Sequence, residues 1–70
     1  MKTFSFKNLF RTKYKIFEEN AIYYILNHQD KELFNLSLDL EEYIFQNNHN
    51  WNKNKIAKYN SLLEEIKENL

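Results

Sequence analysis

Few side chains in this sequence could do chemistry. Ser5, Ser37 and Ser61 are the serine hydroxyls, His28 and His49 the imidazoles, and cysteine is absent. A nucleophile needs a base beside it, and none of the three serines has one close in sequence. Two histidines with carboxylates could hold zinc, but neither His-Glu-x-x-His nor Glu-x-x-His occurs, and both histidines lie in Asn-rich stretches. With no glycine in the chain, the glycine-rich loops that cradle dinucleotides and nucleotide phosphates are excluded. The residues therefore point to a non-enzymatic protein with no cofactor and no metal.

Charge offers a second kind of chemistry. Ten basic and ten acidic residues give a net charge of zero, but they are unevenly placed. Lys2, Lys7, Arg11, Lys13 and Lys15 precede the first acid, residues 18–45 carry seven acids against Lys31 alone, and Lys53, Lys55 and Lys58 follow. If the first and third helices start at the same end, Arg11, Lys13, Lys53, Lys55 and Lys58 gather there with Trp51 and Tyr59. Such a basic aromatic end suits phosphates and stacked bases. Nucleic acid is thus an alternative partner, although a single arginine and zero net charge argue against it.

The elements that would position these groups are helical. From about residue 8 to 27, Phe10, Tyr14, Phe17, Ala21, Tyr24 and Ile25 recur at spacings of three and four. A second helix is expected over about 31–46, with Leu33, Leu36, Leu40, Tyr43 and Ile44 as its core stripe and Asp30 as N-cap. Asn27 is expected in the left-handed position that ends the first helix. A third helix over about 51–68 carries Ile56, Tyr59, Leu62, Leu63 and Ile66, with Leu70 continuing the stripe. Short turns between them imply an all-α, up-down-up three-helix bundle filling one domain, residues 1–70. Residues 1–7 form a short amino-terminal arm.

One stripe per helix leaves Ile16, Ile22, Tyr23, Leu26, Phe34, Leu38 and Phe45 over. That is more apolar surface than so small a monomer usually exposes, and such patches mark interaction sites. Aromatic residues dominate interface energetics, so Tyr23, Phe34, Phe45 and Trp51, with Leu38, are the candidate contacts for a protein partner or a second copy. Ser37 and Glu41 lie in the seam between the two stripes of the second helix.

One segment, Asp30 to Ile44, reads DKELFNLSLDLEEYI. Its part from Leu36 to Ile44 resembles the second-helix signature of the small aspartyl-phosphate phosphatases that regulate sporulation in bacilli. The signature is a Ser, three residues, then an Asp. Ser37 matches the Ser, and Glu41, one methylene longer, stands where the family has Asp. The resemblance implies an antiparallel helix pair acting on a phosphorylated response regulator. It covers about fifteen residues, and the third helix is outside the family's core.

No apolar run approaches the ~20 residues a membrane-spanning helix needs. Lys7, Arg11 and Lys13 interrupt any signal-peptide core, so a cytoplasmic protein is expected. Valine, glycine, proline and cysteine are all missing, while Asn, Lys, Ile, Phe and Tyr abound. AT-rich codons produce this composition. It suits a short reading frame of a low-GC bacterium, its phage or a mobile element, and an inhibitor of a host protein is one product expected of the latter two.

Overall fold

A computed structural model describes residues 12–70, and the expected arm and the start of the first expected helix lie outside them. The described chain is three helices: α1, Lys13–Leu26; α2, Asp30–Asn47; and α3, Lys53–Glu68. A 3-10 turn, Asn48–Asn50, joins α2 to α3. The all-α three-helix bundle is as expected from the sequence. Helix α2 is the central element and packs along both neighbours, while α1 and α3 meet more narrowly.

Side chains on the local backbone decide where each helix starts and stops. Thr12 caps α1, its Oγ1 accepting from the Lys15 N–H at 3.1 Å. Asn52 caps α3, its Oδ1 accepting from the Lys55 N–H at 2.8 Å. This cap is why α3 starts at Lys53 and not at the expected Trp51, whose backbone is still extended. Each cap supplies an acceptor to an otherwise unpaired amide, worth about 1 kcal/mol. Asp30 is not the N-cap of α2. Gln29 holds that position, and Asp30 is the first helical residue, where its charge favours the positive end of the helix dipole.

The turn after α1 also differs from expectation. His28, not Asn27, is left-handed, at φ 55°. The His28 N–H reaches the Ile25 carbonyl at 3.2 Å and the Gln29 N–H reaches the Tyr24 carbonyl at 2.9 Å. This crossed pair closes the helix in the manner usually given to glycine. The Asn27 side chain instead turns back along α1, its Nδ2 donating to the Tyr23 carbonyl at 2.7 Å. Asn47 does the same to Tyr43 at 2.8 Å and Asn69 to Glu65 at 2.9 Å. Each helix thus ends on an asparagine whose side chain bonds the carbonyl four residues back; at Tyr23 this is a second bond, since that carbonyl also accepts from the Asn27 N–H at 3.1 Å.

The core is the set of stripes read from the periodicity. Phe17 and Ala21 of α1, Leu33, Leu36, Leu40 and Ile44 of α2, and Tyr59, Leu62, Leu63 and Ile66 of α3 are buried together. Tyr14, Tyr24, Ile25, Tyr43 and Trp51 pack partly buried against them. Two residues of the expected α3 stripe are exceptions: Ile56 is only partly buried and outside this set, and Leu70 lies beyond the end of α3 and is half exposed. Leu40 is wholly buried at the centre of α2. Leu40→Ala should cost about 2–5 kcal/mol, as large-to-small changes in packed cores do. A chain of this size has only a few kcal/mol to lose. Urea unfolding followed by far-UV circular dichroism should show Leu40→Ala largely unfolded, and Phe45→Ala, at a side chain 79% exposed, close to the parent.

Candidate functional site

The seven apolar residues left over by the core stripes are all exposed, from 39% for Ile16 to 79% for Phe45. They do not form one face. At ~100° per residue, Phe34, Leu38 and Phe45 fall in a single stripe along α2. On one flank of that helix, Leu36 and Tyr43 line a cleft with Lys13, Ile16 and Phe17 of α1. Near the opposite flank, Glu41 reaches Lys67 of α3 at 3.7 Å. The Phe34, Leu38, Phe45 stripe lies beyond Glu41, on the side away from α1. Ile16 therefore belongs to the α1–α2 cleft. Ile22 lines a separate opening of about 280 Å³ between α1 and α3, with Ala21, Ile25, Leu62 and Ile66. Tyr23 and Leu26 are exposed on α1 itself.

The α2 stripe is the most coherent of these surfaces. Its members are 51%, 47% and 79% exposed in chain order. Helix geometry places Glu41 between Leu38 and Phe45, completing a spacing of four, three and four residues. The backbone beneath is a continuous helix of 18 residues, so the side chains sit on a rigid support.

Trp51 does not belong with them. Its indole stacks on Tyr59, with centroids 4.5 Å apart and planes at 26°, and packs against the core. Tyr43 touches Trp51 at 5.6 Å, Tyr59 at 5.8 Å and Phe17 at 5.6 Å, and Tyr14 meets Tyr59 edge-on at 5.3 Å. These rings close the end of the bundle where α1 and α3 begin. The residue proposed from sequence as an interface anchor is part of that plug.

The same end gathers the expected lysines. Lys13 Nζ lies 5.8 Å from the Phe17 ring centre and 5.6 Å from that of Tyr43. Lys55 sits over Trp51 at 4.9 Å and Lys58 over Tyr14 at 4.3 Å. Lys53 is exposed at the first position of α3, and Arg11 lies outside the described residues. The basic aromatic end thus exists as a cluster, but its ammonium groups stand over ring faces that stacked bases would need. Each such contact is worth about 0.5–1 kcal/mol at an exposed site. Glu41 lies against Lys67, in the last turn of α3.

Ser37 is buried, not set in an open seam, and its Oγ donates to the Phe34 carbonyl at 2.6 Å. Its hydroxyl is committed to its own helix while the Glu41 carboxylate points to Lys67, so the two do not present a joint polar site. Among the described residues no cluster of three or more His, Asp or Glu side chains is placed to hold a metal ion, and no helix is long and apolar enough to cross a membrane.

Burial within the ring plug raises the Tyr59 phenol from its ordinary value to about 12, with the neighbouring Tyr43 adding to the effect. Burial raises Tyr14 as well, helped by the nearby negative charges of Glu18 and then Glu65. A raised phenol pKa means that the fold favours the neutral form. Unfolding then releases a proton above the ordinary value near 10, so stability is intact below pH 10 and falls between about 10 and 12. Denaturant midpoints measured across that window should drop with pH, and the drop should be shallower in Tyr59→Phe.

Comparison of the chain with protein-family models, with curated proteins and with solved structures returns no match. The functional reading rests on the geometry alone.

Proposed function

We propose that this chain is a small non-enzymatic regulatory protein that works by binding another protein through the exposed stripe of α2. The observation that carries this reading is the exposure of Phe34, Leu38 and Phe45 in one row on a rigid helix whose other apolar side is already filled. Exposed rows of large apolar side chains are costly to keep in water, and two aromatic rings on a fixed backbone are effective anchors for a partner. Inhibition of the bound protein, as small phage and mobile-element proteins practise it, is the mode of action this reading favours.

A pull-down with the tagged full chain from lysate of its source or host, with and without nuclease, tests the reading. A stoichiometric protein should be retained after nuclease and lost with Phe34→Asp or Phe45→Asp, while both variants keep the helical circular dichroism of the parent. Retention of the same partner by both variants would remove α2 as the contact surface. Loss of the material on nuclease treatment would instead favour the lysine-capped ring cluster, a nucleic-acid contact whose affinity should fall steeply with salt.

A further inference from the structure

Helices α1 and α2 leave a groove between them, on the flank of α2 away from the contact of Glu41 with Lys67. At the end where α1 starts it is a cleft of about 480 Å³, lined among others by Lys13, Ile16, Phe17, Leu36, Asp39 and Glu42. Further along it narrows to about 200 Å³ beside Tyr24 and Glu32. Leu36 and Asp39 belong to both parts, so one runs on into the other. The floor is apolar: Phe17 and Leu36 are buried, Tyr24 and Tyr43 pack partly buried against the core, and Ile16 stands exposed at the edge. The rim is negative. Glu32, Asp39 and Glu42 stand against one cation, Lys13, whose ammonium lies over the Phe17 and Tyr43 rings. Among the described residues these three acids enter no ion pair.

We infer that this groove is covered by the chain's own residues 1–11, with Phe4 and Phe6 on its floor and Lys2 and Lys7 set against its acids. The chemistry is complementary. Residues 1–11 carry Lys2, Lys7 and Arg11 with no acid, and the large apolar side chains of Phe4, Phe6, Leu9 and Phe10. Opposite charge along a rim favours this occupant over a neutral or acidic one. The attachment point is suitable as well. The segment joins the described residues at Thr12, next to Lys13 at the start of the groove. The distance from Thr12 to the level of Tyr24 is ~18 Å along α1, and residues 1–11 span ~16 Å as a helix and up to ~36 Å fully extended. The other apolar surfaces suit the segment less. The opening between α1 and α3 lies along the later part of α1, and one of its acids, Glu18, already holds Lys15 at 3.1 Å. The row on α2 is balanced in charge, with Asp30 and Glu41 against Lys31 and Lys67. The assignment is independent of what binds that row.

Nuclear Overhauser cross-peaks in the isotopically labelled full chain test it. The Phe4 and Phe6 rings should show cross-peaks to the Ile16 and Leu36 methyl groups. The double reversal D39K/E42K, at exposed side chains, should remove most of that intensity, as should K2E/K7E, while cross-peaks within the core persist. Combining all four substitutions exchanges the charges and should restore the cross-peaks. Contacts from Phe4 and Phe6 to Ile22 and Leu62, or to Leu38, would place the segment on another surface and overturn the inference. Absence of cross-peaks from these rings to any side chain of the bundle would overturn it too. Cross-peaks found only between differently labelled molecules would assign the groove to the segment of a second copy, again overturning it. Cross-peaks to Ile16 that survive both reversals unchanged would overturn the charge complementarity on which the inference rests.

Discussion

A three-helix bundle gives each helix only two neighbours, and the middle helix spends its apolar surface on both. Leu36 and Tyr43 of α2 turn towards α1, Ile44 and Ser37 turn the other way, and Leu33 and Leu40 point between. Together they cover about a third of the helix circumference. Phe34, Leu38 and Phe45 stand beyond that arc, past Glu41, and are exposed. The exposed row follows from the number of helices: two neighbours cannot enclose a helix that is apolar on more than one side.

The core was legible because α2 and α3 keep one clear period. Leu33, Leu36, Leu40 and Ile44, and Tyr59, Leu62, Leu63 and Ile66, are the residues that three-and-four spacing selects and the residues that are buried. The same arithmetic identified by subtraction seven of the eight large apolar residues exposed among those described, missing Leu70, which it had placed in the core stripe. It could not arrange them, because the phase within one helix does not say which flank meets which neighbour. That depends on the crossing of α1 and α3 over α2, and so Ile16, Ile22 and Phe34 ended in three separate places. Trp51 had two readings, as an interface contact and as part of the basic aromatic end with Tyr59, and its ring lies at that end. It precedes α3 in an extended segment, so helical spacing alone does not place its ring.

The asparagines show how composition can conceal structural work. An Asn-rich chain reads as codon bias, yet Asn27, Asn47 and Asn69 each finish a helix by bonding back four residues, and Asn52 starts one. With glycine absent, His28 takes the left-handed position instead, at a steric cost of about 1 kcal/mol that the two crossed amide bonds offset. Ser37 is a comparable case. Read as an amphipathic edge it invites a catalytic interpretation, but a serine hydroxyl can satisfy itself on its own helix and be buried at little cost.

The ring plug has one further consequence. Trp51 is the sole tryptophan, and it lies face to face with Tyr59 while Tyr43 sits 5.6 Å away. The indole is therefore an optical gauge of a single structural event, the meeting of the starts of α1 and α3 over the end of α2. Light absorbed by the surrounding phenols is passed to it most efficiently while the rings are held this close. Because the gauge is at one end of the molecule and the α2 row runs along its side, emission from Trp51 reports closure of the fold separately from occupancy of that row.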